Sequence, residues 1–485
     1  MQNSPENQSI KNKLVYYALL IDRVICFGIA AQSTTTTNFF YDSLSNRNNG
    51  DWSPNVKDSY ISYLNGSYNL GGFLGPFITI IFGRSNTKML YTLIRVVFIM
   101  GTCALCASNN IMIMTVSKFF IGLAYMPMYI IIFWYEYHNL LPEDRQRAFN
   151  LNTTLGATCI FTVSTLSYFD PGNWWFWRAC HLIFAFLVVI SIIIELTVLR
   201  NINCVSFFTL NGKYSEAEEC LNSYIEQETV AKMIQLERED LNSEHGELIR
   251  QERGQIEHIG SSKKSSFSLF LEDLKKSKKK VAYVIFMFIL LSGSFYDLIF
   301  GLSTYLGAKE MSDISAVKET KKWVSMRLTG KLAFASFLSY VVPNKKRKEV
   351  LELGHTVGLC LMLGISVSYL VEKLFIANIC VFLFFTISAG WFPTFLVYPN
   401  DILKLSLSSI AYITHSLIQS ALYVVVPNFV EFELRTKQEI GLRLLVILVL
   451  GLMANITLRY FLVETYDPVR STAVMVEDDI EMILM

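Results

Sequence analysis

The chain has 485 residues, 52% of them apolar and 17% charged, with 42 basic against 41 acidic side chains. That composition excludes an ordinary soluble domain, and a net charge of +1 gives no general attraction to nucleic acid. What remains is a chain built for a lipid bilayer.

The polar start, residues 1–13, carries no pattern of a cleavable leader. Apolar segments then recur near 14–32, 60–82, 89–107, 111–134, 149–168 and 175–199, each close to the roughly 20 residues that a membrane-crossing helix needs. A second set follows near 281–306, 323–342, 350–371, 374–399, 405–427 and 441–463. Between the sets lies a charged stretch, residues 200–280. The spacing predicts an all-α membrane protein with twelve transmembrane helices in two six-helix halves, 1–199 and 281–463, joined by a cytosolic helical loop and followed by a tail at 464–485. Secondary transporters are commonly assembled from such repeats, with the solute site near the midplane between them.

Orientation follows from the basic residues of the loops. Lys275, Lys276, Lys278, Lys279 and Lys280 precede the seventh span, Lys345, Lys346, Arg347 and Lys348 follow the eighth, and Lys11, Lys13, Arg84, Lys88, Arg145 and Arg147 share that side if the spans alternate. Both termini are therefore expected on the cytosolic or topologically equivalent side, although Lys309, Lys318, Lys321 and Lys322 fall on the other. Within the central loop, Ala217, Cys220, Leu221 and Tyr224 form one helical face among acids, which predicts a solvated helical cap. A Gly-Ser-Ser-Lys-Lys-Ser-Ser run at 260–266 reads as a flexible link. Cys103 and Cys106 lie inside an apolar run and read as small membrane-helix residues rather than a redox pair.

Several ordered segments resemble the sugar-porter branch of the major facilitator superfamily. Tyr135-Glu-Tyr-His138 through Pro142, Glu143 and Arg145 is similar to Y-x-x-E-x-x-P-P-E-x-R, and Leu151-Asn152 follows in register as L-N. Gly83-Arg84, Trp177-Arg178, Gly212-Lys-Tyr-Ser-Glu-Ala, Gly390-Trp391-Phe-Pro393, Pro399-Asn-Asp401-Ile402 and Glu464-Thr465 take up further family positions in order. The resemblance implies a secondary carrier working by alternating access, in contact with lipid and with a small solute.

It also shows what has been replaced. The membrane-embedded glutamine of the family is Thr153, and the two sugar-binding amides of the seventh span are Ile289 and Leu290. A hydroxyl-rich ligand without such partners gives up about 1–3 kcal/mol for each polar group left unpaired, so an ordinary hexose is not the expected cargo. The family's inter-helix latch of arginines and acids is altered as well. His138 stands for its glutamate and Lys118 for its arginine; Ile80 and Pro343 stand for its aspartates, and Ile202–Ser206 for its P-E-S-P-R box. Arg84, Arg145 and Arg347 survive without those acids.

Ionisable residues at membrane depth are candidates for function. Asp297 in the seventh span is either a coupling carboxylate or a buried partner of Arg327, Lys331 or Lys118. Arg327 and Lys331 share one face of the eighth span and face either Asp297 or an anionic solute. Asp22 and Arg23 are expected to pair locally or to snorkel, His355 and His415 to be structural, and Gly71, Gly72 and Gly75 to serve close helix packing. The candidate solute site is thus Thr153, Asp297, Arg327, Lys331 and Trp391, and the candidate latch Arg84, Lys118, His138, Arg145 and Arg347. No nucleotide loop, metal constellation or catalytic triad is visible, so no enzyme, cofactor or metal is expected. The competing function is a transport-inactive carrier fold that serves membrane-protein partners as a subunit or receptor.

Overall fold

The computed structural model describes most of residues 14–26, then 58–82, 86–140, 142–169, 175–210, 213–223, parts of 230–235, 266–291, parts of 330–334, 346–403, most of 407–418, and 437–463. All regular structure among these residues is helical. In the first half, residues 14–26 are helical and are followed by α1 (Asp58–Phe82), α2 (Thr87–Ala107), α3 (Ile111–Asn139), α4 (Pro142–Tyr168) and α5 (Phe176–Thr197). Short helices α6 (Val205–Leu210), α7 (Tyr214–Asn222) and α8 (Ser266–Lys276) lie in the central region. The second half contains α9 (Lys278–Leu291), α10 (Arg347–Leu370), α11 (Leu374–Ile402), a helical stretch within 407–418, and α12 (Lys437–Phe461). Four of these, α2, α3, α5 and α10, are long and apolar enough to cross a membrane by length and composition alone.

Polar residues set the turns. Asn86 caps α2 by accepting from the Met89 amide at 3.1 Å, and Asn110 caps α3 by accepting from the Met112 amide at 2.9 Å. At the far end of α2 the guanidinium of Arg178 donates to the carbonyls of Cys106 (2.8 Å) and Ser108 (3.3 Å), satisfying acceptors the helix leaves unused. The Trp-Arg pair entering α5 is therefore a clasp on its neighbour.

Packing inside each half follows small residues and buried faces. α1 lies against α3 so closely that a methyl group at Gly71 would strike the Phe119 carbonyl, and one at Gly75 would lie 2.7 Å from both the Leu123 carbonyl oxygen and Pro127 Cδ. The glycine spacing thus serves close backbone approach, as expected from the sequence. α2 packs on α3 and α5, while α10 packs on both α11 and α12. Across the halves, α11 touches α4 and α3.

One end of the molecule gathers the basic loops. Lys88 at the start of α2 donates to the carbonyls of Leu199 (2.6 Å) and Arg200 (2.7 Å) beyond α5. Tyr283 of α9 and Tyr398 of α11 join hydroxyls at 2.8 Å, and both bond the chain end of α12 at Phe461 and Val463. α2 therefore runs antiparallel to α5, and α9 antiparallel to α11 and α12; this end is called the basic end below. The cap sits there. Ala217, Cys220 and Leu221 of the predicted face are buried, while Tyr224 lies outside the described residues; Cys220 packs with Val15, Ala18, Leu19 and Ile202, and Ala217 and Leu221 with Val205.

Candidate functional site

A buried charge cluster occupies the basic end of the first half. Arg95 of α2 is fully buried and pairs with Asp22 of the first helix at 3.0 Å and with Glu195 of α5. It also donates to Ser191 at 2.7 Å, and Ser191 in turn donates to Asp22. The Tyr91 ring lies 3.9 Å beneath the guanidinium, and Thr92 donates to Glu195 at 2.9 Å. A second pair lies beside the first. Arg23 reaches Glu136 of α3 at 3.8 Å, and Asn152 of α4 donates to the same carboxylate at 2.6 Å. A cavity of about 20 Å³ lined by Asp22, Arg23, Tyr91, Tyr135 and Glu195 separates them, enough for a water molecule. Removing charges from water is costly unless each finds a partner, and here every one does. The cluster ties together five helices of one half.

Sequence reasoning expected Asp22 and Arg23 to pair locally or to snorkel. They instead diverge to different helices, because neighbours in a helix point about 100° apart. Arg95, Glu136 and Glu195 were not singled out at all. Arg95 and Glu195 each stand as single charges in apolar runs, Leu93–Val97 and Ile192–Leu196, so the rule that marked Asp297 would have found them.

The second half holds its own pair. Arg347 at the start of α10 forms a buried ion pair with Asp401 near the end of α11. Arg347 is thus not orphaned. Its acid comes from the Pro399–Ile402 motif, where the sequence reading looked to the position of Pro343.

Between the halves the contacts are of another kind. Thr79 of α1 meets Ser409, hydroxyl to hydroxyl, at 3.0 Å, and the Trp134 indole of α3 donates to Ser408 at 3.2 Å. Phe133 stacks on Tyr412, with ring centres 5.9 Å apart. Tyr137 donates to Asp401 at 2.9 Å while the Arg145 guanidinium lies 3.8 Å from its ring centre. His138 packs edgewise on the same ring at 5.1 Å. The segment Ile202–Val205, which replaces the charged box of the family, steadies this end of α3 with neutral groups: Asn203 accepts from Tyr135 at 3.2 Å, and Asn139 Oδ1 accepts from the Val205 amide at 3.0 Å.

The remaining candidates scatter. Lys118 is buried with its amine 5.8 Å from the Tyr68 ring centre and forms no ion pair with a described carboxylate. It precedes His138 by 20 residues in α3, about 30 Å along the axis, so it lies at the opposite end from the latch to which it was assigned. Trp391 is buried, stacks on Phe395 at 5.1 Å and donates to the Leu351 carbonyl at 3.2 Å. Its donor is committed within its own half. Thr153 is half-buried and donates to the Phe149 carbonyl at 2.9 Å. His355 is buried against Asn455, as a structural histidine would be. Arg84, Asp297, Arg327 and Lys331 lie outside the described residues.

The two sets of helices pack against each other, α11 meeting α3 and α4, with the polar seam described above at the basic end. The chain belongs to the family described as sugar (and other) transporters, whose sequence pattern matches residues 25–467. No curated protein sequence matches it. Among solved structures it is similar to the major facilitator superfamily proton:xylose symporter XylE bound to 6-bromo-6-deoxy-D-glucose, with a TM-score of 0.70 at 13% identity over 94% of this chain and 97% of that one. It is also similar to XylE from E. coli in a partially occluded inward-open conformation, with a TM-score of 0.61 at 13% identity over 93% and 98% of the two chains. The human organic anion transporter MFSD10 (TETRAN) gives 0.58 at 11% identity over 94% and 100%. At these identities the likeness establishes the fold, and the family match makes the chain a divergent, sugar-porter-like member of the superfamily.

Proposed function

We propose that this protein is a secondary transporter that moves a small solute other than an ordinary hexose, by alternating access of residues 1–199 against 281–463. The observation that carries the reading is the division of contacts at the basic end. Asp22–Arg95–Glu195 and Arg23–Glu136 stay inside the first half and Arg347–Asp401 inside the second, while the seam runs through hydroxyls, an indole and stacked rings. Each half can then swing as a unit without unpairing a buried ion pair, since what parts across the seam is hydroxyl, indole and ring contacts together with one phenol–carboxylate hydrogen bond, Tyr137 to Asp401. Against a hexose stands the buried face of α9, where Val281, Val284, Met287, Phe288 and Leu291 offer no amide.

The test is a thermal-stability panel on the purified protein with D-xylose, D-glucose and small carboxylates, followed by uptake into proteoliposomes. A ligand that binds only the folded state must raise its melting temperature. A shift and uptake with a solute other than glucose are expected. Stabilisation by no solute, together with stoichiometric co-purification of a membrane complex, would instead support the transport-inactive reading.

A further inference from the structure

The geometry points to Tyr137 as the residue that latches the two halves at the basic end. Tyr137 precedes His138, the position at which the family motif has its acid, and a one-residue step turns a side chain about 100° around the helix. His138 packs on the Tyr137 ring, whereas the phenol reaches the other half. One face of the ring carries Arg145 of α4 at 3.8 Å; the hydroxyl donates to Asp401 Oδ1 at 2.9 Å, and Asp401 Oδ2 holds Arg347. A neutral residue therefore spans two cations and one anion. When the seam opens, Arg145 keeps its ring and its bond to the Leu140 carbonyl at 3.3 Å, and Asp401 keeps Arg347. At this point of the seam the phenol–carboxylate hydrogen bond has to break, and water can replace it at both ends, while Thr79–Ser409 and Trp134–Ser408 part elsewhere along it.

That bond is charge-assisted, so it is stronger than the hydroxyl–hydroxyl contact of Thr79 with Ser409 at the same seam. Tyr137 thus sets how often the basic end opens, and it does so through Asp401. The inference rests on the carrier reading, because a latch requires halves that part.

The experiment uses Thr79→Cys as a reporter, since Thr79 is fully buried beside Ser409 at the seam. The full-length variant in detergent is treated with N-ethylmaleimide, and the rate at position 79 is followed by mass spectrometry. Cys26, buried inside the first half, reports unfolding in the same sample. In this background Tyr137→Phe is expected to speed alkylation roughly tenfold, as loss of one hydrogen bond to a charged group would. Asp401→Asn should also speed it, and the double variant should be no faster than Asp401→Asn alone, with Cys26 slow throughout. Rates that multiply in the double variant would show that Tyr137 does not act through Asp401. Alkylation of the parent with no change in Tyr137→Phe would remove Tyr137 as the latch and leave the carrier reading standing. Position 79 resisting the reagent in every variant would mean that the halves do not part, and would overturn both.

Discussion

The interior of the first half and the seam between the halves are a few residues apart, yet they are built on opposite principles. In the interior, Arg95 is completely buried between two carboxylates, and a third carboxylate, Glu136, is held by Arg23 and Asn152. Such a network is costly to assemble and more costly to break. The seam uses Thr79, Ser408, Ser409, Trp134 and Tyr412, groups that lose little when they separate, with a single phenol–carboxylate bond, Tyr137 to Asp401, set among them. The difference teaches where motion is affordable: charges fix what must stay together, and hydroxyls and rings meet where two bodies come apart.

The sharpest way to break the contrast is Arg95→Ala. It leaves Asp22 and Glu195 buried without their cation, and a loss of about 3–5 kcal/mol is expected, seen as a large fall in the thermal midpoint of the purified protein. A fall no larger than that of a seam variant would erase the distinction. Next comes Gly75→Ala, which drives a methyl group onto the Leu123 carbonyl and Pro127 and is expected to cost about 1–3 kcal/mol. Gly66→Ala, inside α1 with nothing within 4 Å, should instead stabilise by about 0.5–1 kcal/mol and raise the midpoint slightly.

These positions also show what the sequence makes legible. The glycines of α1 lie at helical spacing in an apolar run, so their packing role was readable from chain order alone, as was the buried face of α7 at Ala217, Cys220 and Leu221. Periodicity carries that information within one element. Pairing across elements is a tertiary fact. Nothing in the order of residues says that Asp22 meets Arg95 rather than Arg23, or that Arg347 finds its acid on α11. A motif position likewise records the residue type of Lys118 and not the depth at which its helix places it.

A smaller effect is expected at the seam itself. Thr79→Val removes the hydroxyl contact to Ser409, worth about 0.5–1.5 kcal/mol, along with the bond to the Pro76 carbonyl inside α1, so the melting temperature should move little while limited proteolysis near the basic end becomes faster. The smallest concerns the cap. Burial pushes the Cys220 thiol up to about 11, so at pH 8 it should resist iodoacetamide; as pH rises toward 11 it should begin to react, and mild urea that undocks α7 should bring the same reaction at pH 8. Rapid labelling at pH 8 without urea would show that the cap does not hold its face against Val15 and Ile202.

The most direct test of the account compares movement across the seam with movement inside one half. Pulsed electron-spin distances would be measured for one label pair at Arg200 and Lys348, across the halves, and for another at Met89 and Arg200, within the first half. The account predicts two cross-half distances whose balance shifts with a stabilising solute, and one within-half distance that stays fixed. A single, unshifted cross-half distance, or two pairs that move together, would contradict it.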